Sequence, residues 1–296
     1  LSDYLKNTYK YDAGPYDNFQ SDVTTKNHKY LGKIDWNITA AHKLTLKYSE
    51  LIANSSSLPS QSGGINGASS LNPSVITYGP KFSPTAMAFG NTIYNIVDKV
   101  RSGSFELKSN FRGKFANQLL ATVTKINTDK SHPGAQFPFA DIAGFTPGSK
   151  NNYLSFGNEP FNGNYNVVVN DIYTATDNFT YFAGRHTLTA GLSYEFQKVG
   201  NGFMAGNQGY YAYGSLDDFL KNRAPKIFSI TYSLVPGQDA VISANLKVGQ
   251  LGAYAQDEIS VNENFKLTAG LRIDKPIYPE QPLANKAVSN LSLFDK

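Results

Sequence analysis

The sequence predicts an all-β protein, an antiparallel transmembrane β-barrel with long extracellular loops and short helices, and three observations carry the prediction. The first is a series of runs in which apolar residues take one face and charged or amide residues the other, the period of a strand between two different solvents. From Phe265 to Asp274, Leu267, Ala269, Leu271 and Ile273 oppose Thr268, Gly270, Arg272 and Asp274. The second is the connections, which alternate between turns of about four residues and loops of about 35. The third is composition: 41% hydrophobic and 17% charged, with 19 Tyr and 19 Phe against one Trp. Soluble domains average about 25% charged residues.

Composition also excludes. No run approaches the roughly 18 apolar residues of a membrane helix. The net charge of +4 is unclustered, so no nucleic-acid footprint is expected. Cysteine is absent, which removes disulfides, thiolate metal sites and cysteine nucleophiles. The first residues do not have the charged-then-apolar pattern of a leader.

Leu1, Tyr4 and Leu5 space a short helix over 1–9, which the turn chemistry of Tyr11-Asp12-Ala13-Gly14-Pro15-Tyr16 ends. Alternation then predicts a strand over 28–38, with Tyr30, Ile34, Trp36 and Ile38 on one face. A turn at 39–42 leads to a second strand over 43–54. The segment 54–91 is rich in Ser, Gly, Asn and Pro, and its length argues against a compact soluble domain. Strands follow over 91–111 and 118–129, a loop over 130–164, and strands over 165–181 and 186–199. The third loop carries an expected helix over 215–222, with a capping box at Ser215 and Asp218. The strand-like run 226–234, turned by Pro236-Gly237-Gln238, is expected to pair with the upper half of 240–259. Counting it as wall would put the turn after Ile259 on the wrong side of the membrane. About eight wall strands remain.

Aromatic residues gather at the short turns (Trp36, Phe111, Phe115, Phe179, Tyr181, Phe182 and Phe265), as rings do where hydrocarbon meets water. Three residues are out of phase. Asp171 and Asp177 share a face with Tyr173 and Phe179, and Lys125 follows Val123; bulges or strand ends above the membrane would explain them.

Tyr254-Ala255-Gln256-Asp257-Glu258, then Leu267 and Gly270-Leu271-Arg272-Ile273-Asp274, resemble a hairpin of TonB-dependent outer-membrane receptors. Further segments resemble the Oar-like branch of that family: 11–16, 43–49, Phe137-Pro138-Phe139-Ala140-Asp141-Ile142, 215–220 and 250–254. The resemblance runs through nearly the whole chain. It implies a place in the outer membrane of a Gram-negative bacterium and a barrel of about 22 strands closed by a plug. It also implies a periplasmic segment that contacts TonB and a carboxypeptidase-regulatory-like domain upstream. Residues 1–296 are thus expected to be an internal part of one barrel domain, with plug and N-terminal domain lying outside the chain.

No His-Glu-x-x-His, nucleophile elbow or phosphate-binding glycine loop occurs, so no catalytic residue, metal ligand or cofactor is assigned and an enzyme is not expected. Lys33, Asp35, Lys47, Glu106, Lys108, Glu195, Gln256, Arg272 and Asp274 are expected to face the lumen, pairing with one another and the plug or lining a solute path. In the loops, Phe137, Phe139, Tyr210, Tyr211 and Tyr213 are candidates for ligand contact, as exposed aromatic surface. Their alternative is packing of loop on loop. Expected partners are membrane lipid, the plug, the TonB complex and a solute, or a surface lipoprotein or peptide ligand. Energised solute uptake is the leading function; a surface receptor, adhesion or secretion-associated scaffold is the alternative, and a passive porin a third.

Overall fold

Eight long strands pair with their neighbours into one antiparallel sheet. They are β1 (Thr25–Asn37), β2 (His42–Ser57), β4 (Tyr94–Phe111), β5 (Phe115–Ser131), β8 (Asn166–Ala183), β9 (His186–Phe203), β12 (Ala244–Asn262) and β13 (Phe265–Ile277), in that order. The intervening numbers belong to short loop strands: β3 (Ala86–Ala88), β6 (Phe139–Ala143), β7 (Tyr153–Phe156), β10 (Tyr210–Tyr213) and β11 (Ile227–Ser229). The structure is a computed structural model, and it describes residues 1–16, 23–59, 81, 86–143, 153–161, 166–234, 237 and 244–280. Most of the Ser- and Gly-rich segment, and Pro236 and Gln238 of the expected turn, lie outside the described residues.

The short turns are built from residues that tolerate tight backbone. Arg112 and Gly113 both have positive φ (54° and 70°), turning the chain between Phe111 and Lys114, and Asn110 Oδ1 accepts from Gly113 N at 2.8 Å. At the first turn Thr39 Oγ1 accepts from the backbone N–H of Ala41 and of His42, both at 3.1 Å.

These turns are staggered across the sheet. Lys43, Lys108 and Gln118 are direct partners, so the first hairpin closes level with Gln118, while the second closes lower, at Phe111 and Phe115. By the fourth hairpin, at Asn262 and Phe265, the stagger reaches about eight residues over six inter-strand spacings. With about 3.3 Å per residue and about 4.8 Å between strands, the strands incline by about 40°, the tilt of closed membrane barrels.

Paired residues share a face, so the register sorts the whole wall. On the outward face β9 carries Leu188, Ala190, Leu192, Tyr194 and Phe196 before Lys198, and β13 carries Leu267, Ala269, Leu271 and Ile273 before Lys275. Similarly Leu119, Ala121 and Val123 precede Lys125, and Leu107, Phe105 and Gly103 precede Arg101. About ten residues of strand at that tilt span about 25 Å, the height of the lipid-facing band of outer-membrane barrels. Leu271 and Ile273 are 85% and 76% exposed, as side chains that meet lipid are in the isolated chain.

The out-of-phase charges find their cause here. Glu50, Arg101, Lys125, Asp171, Lys198 and Lys247 are successive direct partners, forming one charged row at the tops of the apolar runs. The register through Lys125 and Asp171 is continuous, so they mark strand ends above the hydrocarbon rather than bulges. Asp177 remains within the band, where Asn117 Nδ2 donates to it at 2.7 Å.

The three long loops build a second, five-stranded sheet in the order β11-β10-β6-β7-β3. Two of its pairings, β10 with β6 and β3 with β7, are parallel and join different loops. Around it, α1 (Ser2–Tyr9) and α2 (Leu216–Leu220) complete a core of Leu5, Tyr11, Phe89, Ile142, Leu154, Phe156 and Phe219. Residues 1–16 therefore belong with the loops at the extracellular end. Ser215 caps α2 as expected, its Oγ accepting from Asp218 N at 3.1 Å, although the helix ends at Leu220 rather than at 222. One expectation is corrected. The run 226–234 is outside the wall, but its strand, β11, pairs with β10, and the described residues 244–259 pair with β9 and β13.

Candidate functional site: the inner wall and the loop sheet

All nine residues expected at the lumen lie on the face opposite the apolar band. Lys33 is the direct partner of Lys47, and Asp35 shares the row of Thr45 and Glu106. Glu195 faces Gln250 and Thr174, Gln256 faces Gly270 and Thr189, and Arg272 and Asp274 face Tyr254 and Gly252.

Neighbours two apart on one strand pair because they share that face. Lys33 Nζ lies 2.8 Å from Asp35, which also holds Lys43 at 3.4 Å and accepts from Thr45 Oγ1 at 2.6 Å. Lys108 lies 3.1 Å from Glu106, which accepts from Gln118 Nε2 at 2.5 Å. Arg272 holds Asp274 at 2.8 Å, and its Nη2 donates to Ser193 Oγ at 3.1 Å. Exposed pairs of this kind contribute little to stability, so their effect is to fix a charge pattern more than to hold the wall. Glu195 accepts instead from Gln197 at 2.6 Å. Among the described residues Lys47 enters no ion pair; the structure separates it and Gln256 from the three clusters.

The richest cluster surrounds a residue that the sequence did not single out as a site. The Tyr254 ring lies over Gly191 on the adjacent strand, its hydroxyl donates to Asn178 Oδ1, and the Arg272 guanidinium sits 5.6 Å from the ring centroid. A Cβ at Gly191 would collide with that ring, and one at Gly252 would collide with Arg272 and Ser193. Glycine inside a strand marks such close approach, and that was the available signal. Higher on the same face one apolar stretch interrupts the polar pattern: Leu51, Val100 and Ile126 are successive direct partners, flanked in their row by Lys29 and Asn170 and topped by Asp98 and Thr128.

At the loop sheet the aromatic candidates divide. Phe139 and Tyr210 are 0% and 1% exposed, which corrects the expectation that they offer open surface; their rings stack at 6.1 Å within the core. Phe137, Tyr211 and Tyr213 are half-buried, and Phe137 stacks on Tyr11 at 4.0 Å. Packing of loop on loop accounts for most of this aromatic surface.

The centre of that packing is ionic. Asp141 is fully buried, and Lys81 Nζ reaches it at 2.8 Å. Tyr210 OH donates to the same carboxylate at 2.8 Å and Ser155 Oγ at 2.5 Å. One carboxylate thus ties together all three long loops. Among the described residues no group of three or more His, Asp or Glu gathers as a metal site.

Tyr11 gives the loop core a pH dependence. Burial pushes its phenol well above the ordinary value near 10. Between the unfolded and folded values only the unfolded state loses the proton, so the loop sheet should lose stability as pH rises beyond about 10. Tyr11→Phe should flatten that alkaline limb in a denaturation series; an unchanged limb would refute the assignment.

A tilted antiparallel wall with an apolar outer band, a charged inner face and loops on one side defines a membrane-spanning β-barrel wall. The sequence agrees: residues 4–295 match the family described as outer membrane beta barrel domain. The chain belongs to that family, and its place is the outer membrane.

Among solved structures the chain is similar to the outer membrane transporter YddB from Escherichia coli, at 12% identity and TM-score 0.49, covering 85% of this chain and 34% of that one. It is also similar to FpvA of P. aeruginosa, solved with a heterologous pyoverdine, at 14% identity and TM-score 0.48, covering 87% and 31%. A third is the siderophore receptor PirA from Acinetobacter baumannii, at 14% identity and TM-score 0.42, covering 89% and 32%. The chain spans about a third of the length of each. No curated protein matches it.

Proposed function

We propose that this wall and its loops belong to an Oar-like, TonB-dependent receptor, in which the loops bind a solute and a plug gates its import. The inner face carries the proposal. Its row of Leu51, Val100 and Ile126 forms an apolar patch amid polar neighbours, and such a patch in an open aqueous lumen would leave that surface wet without benefit. A plug packed there would cover it, and the exposed pairs below, Lys33–Asp35, Glu106–Lys108 and Arg272–Asp274, would offer the plug or solute both signs of charge. The hairpin of Tyr254, Gly270, Arg272 and Asp274 resembles the motif of TonB-dependent receptors, and Tyr254, Arg272 and Asp274 form one connected cluster on this face. The loop sheet is the surface a solute meets first. On this proposal the chain does transport work, not catalysis.

The full-length receptor in a planar bilayer should be silent and should conduct once its plug is removed, and it should bind the isolated periplasmic domain of TonB. Steady conductance from the intact protein would replace the proposal by a passive pore. A silent barrel with no TonB contact would leave the surface-scaffold alternative.

A further inference from the structure

The outward wall carries a groove that the lipid band does not by itself require. Gly32 and Gly103 lie in one cross-strand row with Tyr48 and Val123, and a Cβ at either glycine would meet nothing within 4 Å. The missing side chains leave an apolar channel bounded by Ile34, Leu46, Tyr48, Phe105, Val123 and Tyr173.

Directly above this channel, toward the loops, runs the charged row. Arg101 pairs with Glu50 at 2.7 Å and Lys247 pairs with Glu280. Lys99, Lys125 and Lys198 are left around Asp171, with Asp129 further up β5. Among the described residues Lys99 and Lys125 enter no ion pair. Lys198 Nζ sits 5.9 Å from the centroids of both Tyr173 and Phe196, its stem along the apolar band and its charge at the upper edge. An excess of cations thus stands where the headgroups of the outer leaflet begin, over an apolar trough.

We propose that this face binds a phosphorylated lipid of the outer leaflet, its acyl chain along Gly103 and Gly32 and its phosphate at Lys99, Lys125 and Lys198. The two halves fit one molecule. The row supplies charge complementary to phosphate, the channel accepts the chain, and they adjoin along β4 and β5. Lipid faces this side of the wall whatever fills the lumen, so the site does not depend on the proposed transport.

The test uses the complete receptor in detergent, probed with lipid A and with dephosphorylated lipid A, retention being read by native mass spectrometry. Each cation near an anionic surface contributes about five-fold to binding. Lys125→Gln with Lys198→Gln should therefore weaken lipid A retention by at least about ten-fold, whereas K125R/K198R should keep it. Gly103→Phe fills the channel from open space without a clash, so the barrel should assemble and keep its heat-modifiable mobility while losing lipid of both forms. Equal retention of the two lipids, unchanged retention in K125Q/K198Q, or unchanged retention in G103F would overturn the site. So would full competition by inorganic phosphate, which would reduce it to a simple anion patch.

Discussion

Asp141→Ala should open the loop sheet to protease while the barrel wall stays folded. The carboxylate and Lys81 are both 0% exposed, so removing the acid leaves an ammonium in the core with no counter-charge. Breaking a buried pair in this way costs about 3–5 kcal/mol, and the hydroxyls of Tyr210 and Ser155 lose their acceptor as well. A small sheet assembled from three loops has little stability to set against that loss. Trypsin should then cut near Lys81, Lys221 and Lys226, while heat-modifiable migration of the wall is unchanged. Asp141→Asn separates the two contributions. It keeps an oxygen that can accept from Ser155 and Tyr210 and removes only the charge. If the asparagine protein opens as readily as the alanine one, the ion pair holds the loops together; if it stays closed, the hydroxyl bonds do. An alanine protein as resistant as the parent would remove Asp141 from the role given to it.

Replacing Asp141 acts on the part of the fold that the sequence concealed, and the reason is physical. Wall strands pair with the next strand in the chain, so alternation within each run is enough to give their number, order and faces. The nine inner residues and the apolar outer set follow from period two alone, and the register preserves them from β1 to β13. The loop sheet obeys no such local rule. Its parallel pairings join β3 with β7 and β6 with β10, segments of different loops, and runs of four or five residues carry too little pattern to announce a partner. That is why the sequence pairs 226–234 with its neighbour along the chain, and why Phe139 and Tyr210 read as open surface. Asp141 stands in a run, Phe139 to Ala143, that is buried on both faces, where alternation gives no sign of which way a carboxylate points. Strand tops have a related cause. The membrane imposes a pattern only within the hydrocarbon, and above it β4, β8 and β9 continue through charged residues that the pattern does not govern.

Leu192→Arg should impair assembly of the barrel far more than Thr174→Arg, although the two sites are near each other on adjacent strands. Leu192 lies in the middle of the outward run of β9, between Ala190 and Tyr194, and is 61% exposed. In the membrane that exposure is to hydrocarbon, and an arginine there costs about 2–4 kcal/mol near the midplane. Its direct partner on β8 is Asp177, already held by Asn117, so an ion pair there would offset only part of the cost of keeping both charges in hydrocarbon. Thr174 points to the other side and is the direct partner of Glu195, so an arginine at that position meets water and a carboxylate across the strand. The contrast is cleaner at Thr174 than at Ser193, because Ser193 Oγ already accepts from Arg272 and a second guanidinium would crowd the first. Folding into lipid vesicles, followed by gel mobility and denaturant titration, measures both changes. Equal loss at the two positions would mean that neither face is protected from the cost of charge. A larger loss at Thr174 would mean that the inner and outer faces of the wall had been exchanged throughout.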